Sequence, residues 1–191
     1  MIRVLPAILS AVLLLLPAGA AAQADRTYKV LATSKTSTMQ KEMKDAGQLG
    51  FRFVAVMGGE TAVGGSEVVV LMEKAANDQT KYDYQLLATS RTSTLQKELQ
   101  VSANEGWEAV GQTVFASVFG GDETVGILER STETPSTIKY DYKLIATSKT
   151  STLEREVQRA ADQGYQAVAM TVGKTALGGS EIVVITRKIV R

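Results

Sequence analysis

The segment Ala32-Thr33-Ser34-Lys35-Thr36-Ser37-Thr38 occurs three times in this chain of 191 residues, with Arg replacing Lys in the second copy. The second copy occupies residues 88–94, 56 positions further on, and the third occupies residues 146–152, after another 58. Self-similarity at a nearly fixed period is the signature of tandem repeats. The sequence therefore predicts three copies of one unit, which we place at 25–75, 82–131 and 140–191.

Each unit reads as strand, helix, strand, strand. The first strand opens with Tyr28-Lys29-Val30-Leu31 and its counterparts at 84–87 and 142–145, which are rich in aromatic and β-branched residues. The helix starts are predicted from pairs with capping-box spacing, in which two side chains satisfy each other's backbone donors. These pairs are Ser37 with Gln40, Ser93 with Gln96, and Ser151 with Glu154.

The helix ends and the sheet topology follow from glycines and from apolar runs. Gly50, Gly106 and Gly164 suit the left-handed position that ends a helix. The two strands that follow are joined by a short glycine-containing loop, which makes them antiparallel. We expect the third strand, the most apolar, to lie between the other two, giving the order 1-3-2 of split ferredoxin-like sheets.

The predicted fold class is α+β: three tandem βαββ repeats with antiparallel sheets, helices on the outer face and a pseudo-threefold arrangement. One sheet face should pack on the helix of its own unit. A unit of about 55 residues buries too little surface to be stable alone, so we expect sister units to cover the other sheet face.

Residues 1–24 are typical of a secretory signal peptide. Arg3 is their only charged residue, an apolar centre follows, and small residues close the segment. Cleavage is expected after Ala22 or Ala24, which places the mature protein in the periplasm or outside the cell. No stable membrane insertion is expected once the segment is removed. The alternative is a retained membrane-anchoring helix.

The composition excludes several function classes. The chain has no Cys and no His, so it can build neither a disulfide nor a zinc finger, and no nucleophile or general base from these residues. Lys and Arg total 21 against 20 Asp and Glu, so no bulk positive charge favours nucleic acid. We expect no cofactor, no metal and no catalytic residues.

The repeated hydroxyl-rich turns are the strongest candidate for a binding site. Hydroxyl groups, one cation and free backbone donors meet there at a predicted helix N-terminus, a combination that suits an anion or an acidic or sulfated glycan. Three linked weak sites could act together on a repeating ligand. The alternative is that the residues only cap the helices. The candidate residues are Ser34, Lys35, Thr36, Ser90, Arg91, Thr92, Ser148, Lys149 and Thr150.

The glycine pairs before the third strands, at 64–65, 120–121 and 178–179, are each followed by acidic residues. We interpret them as turns in which glycine supplies positive φ angles. Calcium is the alternative, but one or two carboxylates per loop fall short of the roughly 6 to 8 oxygens that this ion takes.

The second unit resembles the short bacterial domains of unknown function of family 4177. The resemblance rests on Tyr82-Asp83-Tyr84, on Glu105-Gly106-Trp107-Glu108-Ala109-Val110 and on Ile127-Leu128-Glu129-Arg130. It covers one unit of the three and implies a fold without a known chemistry.

Taken together, the sequence predicts an exported, non-catalytic structural or interaction module with unknown partners. The alternative is an extracytoplasmic binder of anions or of acidic or sulfated glycans that uses the three turns.

Overall fold

The computed structural model describes residues 25–60, 66–116, 122–134, 136–174 and 179–190. The expected signal peptide at 1–24 lies outside the described residues, as do the glycine pairs at 64–65 and 120–121 and Gly178 of the third pair.

All three repeats fold as strand, helix, strand, strand. The first contains β1 (Arg26–Thr33), α1 (Thr36–Gln48), β2 (Arg52–Glu60) and β3 (Ser66–Ala75). The second contains β4 (Tyr82–Thr89), α2 (Thr92–Asn104), β5 (Glu108–Ala116) and β6 (Asp122–Ser131). The third contains β7 (Lys139–Thr147), α3 (Thr150–Asp162), β8 (Gln166–Lys174) and β9 (Ser180–Val190).

Each repeat forms its own three-stranded antiparallel sheet. The strand orders are β1-β3-β2, β4-β6-β5 and β7-β9-β8, so the third strand of every repeat is central. The α+β class, the tandem βαββ repeats and the 1-3-2 order are therefore confirmed. The second strands of the three repeats lie close together. Residues of β2, β5 and β8 all line one cavity of about 360 Å³ and another of about 420 Å³.

The second strand of every repeat is interrupted at the same place. The pairing with the central strand shifts between Phe53 and Ala55, and the same shift occurs at residues 109–111 and 167–169. A β-bulge of this kind leaves a residue unpaired and bends the strand. It therefore frees a backbone N–H group for a partner outside the sheet.

The helix ends match the sequence prediction. Gly50, Gly106 and Gly164 have φ angles of 87°, 86° and 86°. The Phe51 N–H donates to the Ala46 carbonyl oxygen at 3.1 Å, and the Gly50 N–H donates to that of Gly47 at 2.9 Å. These bonds are those of a Schellman motif, which satisfies the last carbonyls of a helix.

The predicted capping boxes are wrong. The residues at the N-cap positions are Lys35, Arg91 and Lys149, and none of the three helices has a side-chain cap hydrogen bond. Each helix begins one residue before the serine that was expected to cap it. In α1 and α2 the glutamine that a capping box would use, Gln40 or Gln96, accepts a hydrogen bond from the following repeat instead.

The core is shared between repeats. We call the sheet face that bears Tyr28, Tyr84 or Tyr142 the front face, and the opposite face, which packs on the repeat's own helix, the back face. The back face of repeat 1, helix α1 and the front face of repeat 2 form one hydrophobic cluster. The back face of repeat 2, α2 and the front face of repeat 3 form a second. Sister repeats thus cover the front faces of repeats 2 and 3, as expected.

The third cluster is smaller because it belongs to repeat 3 alone. Its fully buried members are Ile145, Ala160 and Val184, with Leu153 and Val157 of α3 half-buried beside them. The same two helix positions are 0% exposed in α1 and α2. Within the described part of the chain, the stack of repeats therefore ends at an incompletely covered helix.

No helix in the described ranges is long and apolar enough to cross a membrane.

A substitution at Gln112 tests the description of the core. This side chain is 5% exposed, and neither atom of its amide group has a hydrogen-bond partner. Val56 and Met170 occupy the corresponding positions of the other repeats. Because an unpaired buried amide costs about 1–3 kcal/mol, we expect Gln112→Val to raise the free energy of unfolding by about 1–2 kcal/mol in urea denaturation. The control Gln79→Val, on an exposed residue, should change it by less than about 0.5 kcal/mol. A lower free energy of unfolding in Gln112→Val would contradict the conclusion that the buried Gln112 amide has no hydrogen-bond partner.

Candidate functional site

The hydroxyl-rich turns lie at three separate helix starts. Thr36 and Thr92 are half-buried and the other seven candidate residues are exposed, namely Ser34, Lys35, Ser90, Arg91, Ser148, Lys149 and Thr150. The two cavities where the second strands converge are lined by other residues.

A local bond accounts for the recurrence of threonine before each turn. The Lys35 N–H donates to the Thr33 hydroxyl oxygen at 3.2 Å, and the equivalent bonds at Arg91 and Lys149 measure 3.2 and 3.3 Å. Such threonine turns fix the backbone that leads into a helix. The repeated threonine therefore has a structural role that requires no ligand.

The most elaborate polar geometry lies instead between repeats. At the interface of repeats 2 and 3, which we call the second interface, Gln96 and Gln100 of α2 run along the outer edge of β7. Gln96 donates to the Tyr142 carbonyl oxygen at 2.6 Å and accepts from the Leu144 N–H at 2.6 Å. Gln100 donates to the Tyr140 carbonyl oxygen at 3.1 Å and accepts from the Tyr142 N–H at 3.0 Å. Two side-chain amides thus satisfy four backbone groups of an edge strand.

The interface of repeats 1 and 2, which we call the first interface, uses the same device. Gln40 accepts from the Leu86 N–H at 2.8 Å, and Gln48 donates to the Tyr82 carbonyl oxygen at 3.3 Å. Gln40 and Gln96 are corresponding residues, so the acceptor at this helix position is common to both interfaces. The helix of one repeat therefore acts as a polar cover for the next repeat's edge strand.

A tyrosine of each following repeat reaches back to the β-bulge of the preceding one. The Tyr84 hydroxyl accepts from the Phe53 N–H at 2.9 Å and donates to the Glu129 carboxylate at 2.8 Å. The Tyr142 hydroxyl accepts from the Ala109 N–H at 2.7 Å. Burial, and then the negative charge of Glu129, raises the pKa of Tyr84 well above its ordinary value. Burial also raises the pKa of Tyr142.

An ion pair joins the repeats at each interface. Its cation belongs to the preceding repeat at the first interface and to the following repeat at the second. Arg52 pairs with Glu129 at 2.8 Å across the first, and Glu108 pairs with Arg187 at 2.6 Å across the second. The Arg187 guanidinium also donates to the Ala109 carbonyl oxygen at 3.1 Å. Burial of Arg187 lowers its pKa, but the negative charge of Glu108 outweighs that effect and raises it overall.

These residues line the cavity of about 420 Å³ where the second strands converge. The Glu129 carboxylate is held by Arg52 and Tyr84, and Glu108 is held by Arg187 and by the Tyr140 hydroxyl at 3.3 Å. Both carboxylates are therefore engaged in holding repeats together rather than available as a general base. Within the described ranges, no cluster of three or more acidic side chains is placed to hold a metal ion.

Among the described residues, nothing covers the equivalent front face of repeat 1. Tyr28, Val30 and Met57 are 56%, 63% and 68% exposed. At the positions of Tyr28 and Val30, repeat 2 carries Tyr84 and Leu86, which are buried under α1. Singly exposed apolar residues are ordinary, but a group of them on one sheet face beside an edge strand indicates an interaction surface. This front face is the candidate functional site.

Sequence reasoning missed this site because it treated each helix as belonging to its own sheet. The sequence indicates for each of these tyrosines only that it opens a strand, and it assigns Gln40 and Gln96 to capping. The sequence does carry a signal for the contact, because tyrosine and glutamine recur together. Tyr84 and Tyr142 each belong to a repeat that follows a helix with Gln at its fifth residue. Glutamine is costly to bury unless both ends of its amide find partners.

The buried tyrosines predict how stability depends on pH. Above pH about 10, tyrosines ionise in the unfolded chain, while Tyr84 and Tyr142 stay protonated in the folded one. The unfolded state then binds fewer protons, so the free energy of unfolding falls as pH rises. Urea unfolding followed by circular dichroism between about pH 8 and pH 11 should show this decline.

The variant Tyr84→Phe isolates the contribution of one hydroxyl group. It should lose about 1.5–3 kcal/mol at neutral pH, because its hydroxyl bonds a carboxylate, and it should show a shallower decline at alkaline pH. Tyr28→Phe, at the exposed equivalent position, should change stability by less than about 0.5 kcal/mol. Equal effects of the two substitutions would contradict the difference in burial.

Comparisons of the chain with models of known protein families, with curated proteins and with solved structures found no match. The resemblance of the second repeat to family 4177 therefore stays a prediction.

Proposed function

We propose that this protein is a non-catalytic structural and interaction module, exported from the cytoplasm, that binds a protein surface through the front face of repeat 1. The observation that carries the proposal is the exposure of Tyr28, Val30 and Met57 on a face whose equivalents in repeats 2 and 3 are covered. Covering such a face removes apolar area from water, which favours association.

The edge strand β1 supports the same proposal. In the equivalent strands β4 and β7, outward backbone groups bond to the helix of the preceding repeat. No repeat precedes β1 among the described residues, so its outward groups are available to a partner. A partner that supplies side-chain amides or a strand edge would satisfy them.

Site-directed photocrosslinking tests this function. We expect p-benzoylphenylalanine in place of Met57 to give protein-sized adducts in the producing cells, because the side chain points out of the front face. The matched control is the same replacement at Val101 of α2, which is 58% exposed but lies on a helix. Adducts from position 57 alone would support the proposal. No adducts from position 57, or equal adducts from both positions, would refute it.

Anion or glycan binding through the three turns is the second candidate, favoured by the exposure of Lys35, Arg91 and Lys149 at helix starts. If it is correct, sulfate or a sulfated glycan should raise the melting temperature, since a ligand stabilises the state that binds it. The rise should vanish in a variant with all three residues changed to Ala. A panel of anions that gives no rise in the unaltered chain would exclude this candidate.

A further inference from the structure

We propose that the occupant of the front face of repeat 1 is repeat 3 of a second copy of this chain, so that copies join head to tail and continue the stack of repeats. This inference rests on the proposed function and names the partner. The chain makes the same kind of interface twice, between repeats 1 and 2 and between repeats 2 and 3. One surface of that interface stays exposed on the front face of repeat 1, and the other stays exposed on the back face and helix of repeat 3.

Helix α3 retains the apolar half of the interface. Leu153 and Val157 stand where α1 has Met39 and Met43, both of which are buried against the sheets of repeats 1 and 2. In α3 these positions are only half-buried. The helix therefore keeps the apolar stripe that covers a following repeat, and no further repeat follows it among the described residues.

The strand beside α3 presents a matching apolar surface. Met170 and Val172 of β8 are 63% and 60% exposed on the back face of repeat 3. At the first interface, the back face of β2 meets β5, and Gly58 lies against Val114 and Thr113. A second copy placed in the same way would bring its Met57 towards these two side chains.

The polar half of the interface is also present. Gln158 of α3 occupies the position of Gln100, which bonds both a carbonyl oxygen and an N–H group of β7. Glu154 occupies the position of Gln40 and Gln96, whose shared role is to accept an N–H from the edge strand. A carboxylate oxygen performs that role equally well. The facing groups on a second copy would be the Val30 N–H and the backbone of Tyr28.

The tyrosine contact has a counterpart as well. Tyr84 bonds the N–H of Phe53, and Tyr142 bonds that of Ala109, each at a β-bulge. The third bulge places Ala167 at the same position. Tyr28 of a second copy is the residue that would reach it.

Charge favours contact between the two ends of the chain. Arg26 replaces the tyrosines found at residues 82 and 140, and Asp162 replaces Gln48, which lies against Tyr82 at the first interface. A second copy would therefore bring Arg26, which pairs with Glu73 of its own repeat, near Asp162. Gln166 and Glu73 occupy the positions that form ion pairs at the other two interfaces. They would face each other between copies, and an amide beside a carboxylate involves no like-charge repulsion.

The expected assembly is heterologous, because two different surfaces meet. Contacts of this kind produce rings when the rotation closes and open chains when it does not. Sedimentation of the full chain should therefore show oligomers that grow with protein concentration. A chain that remains monomeric throughout the concentration series overturns the proposal.

Two single substitutions test the two ends. Val30→Asp on the front face and Met170→Asp on the back face should each weaken self-association by about tenfold or more, because a buried unpaired carboxylate is costly. Both residues are exposed within the chain, so circular dichroism should show an unchanged fold. The control Val101→Asp should associate as the unaltered chain does. Undiminished association of either front-face or back-face variant overturns the proposal.

Mixing the two variants tests the head-to-tail arrangement. The Val30→Asp chain keeps a functional repeat 3, and the Met170→Asp chain keeps a functional repeat 1. An equimolar mixture should therefore form one-to-one dimers that neither variant forms alone. A mixture that stays monomeric overturns the arrangement.

Mass spectrometry of the adducts from position 57 separates this inference from the proposed function. Adducts to α3 or β8 of a second copy support both. Adducts to a different protein uphold the interaction module and overturn self-assembly, whereas the absence of adducts overturns both.

Discussion

An edge strand needs partners for its outward backbone groups, and in this protein the preceding repeat supplies them. Gln96 and Gln100 together satisfy four such groups of β7, and they do so from a helix that also buries its apolar stripe. An amide is suited to the task because it carries both a donor and an acceptor, and can therefore bond a carbonyl oxygen and an N–H group of the same strand. The edges formed by β4 and β7 are thereby covered without strand pairing, and the three sheets remain separate.

This arrangement makes the stability of the chain depend on neighbours. A unit of about 55 residues buries only about 60% of its unfolded surface, and two of the three clusters contain residues from adjacent repeats. The free energy of unfolding of such an array is approximately a sum, with one contribution from each repeat and one from each interface between neighbours. Repeat 2 has neighbours on both sides, whereas repeat 1 leaves its front face exposed and repeat 3 leaves α3 half-covered.

Much of the fold could be predicted from the sequence, because its determinants are local. Gly50 ends α1 wherever the helix packs, since only its backbone conformation matters, and the apolar third strand must be central because both of its faces need cover. The interfaces were not predictable in the same way. Tyr28 and Tyr84 occupy the same position of the repeat, three residues before a shared Leu-Ala-Thr-Ser segment, yet one is exposed and the other is fully buried. The difference lies in what precedes each repeat in space. Likewise, Ser37 and Gln40 have the spacing of a capping box, but Gln40 finds a better-placed donor in β4.

The ends of a repeat array normally carry polar replacements that protect it from water. Here the replacements are selective. Arg26 and Asp162 introduce opposite charges at positions that hold Tyr and amide residues inside the array. Val30 stays apolar like Leu86 and Leu144, and Met57 stands where the other repeats have threonine. Uniformly polar ends would oppose association, and uniformly apolar ends would favour any apolar partner. An apolar centre with one opposite-charge pair at its rim instead favours one partner in one orientation, because misplaced charges repel or lose their solvation. The sequence differences of the first and third repeats from the second one therefore agree with the proposed interface between copies better than with a protective cap.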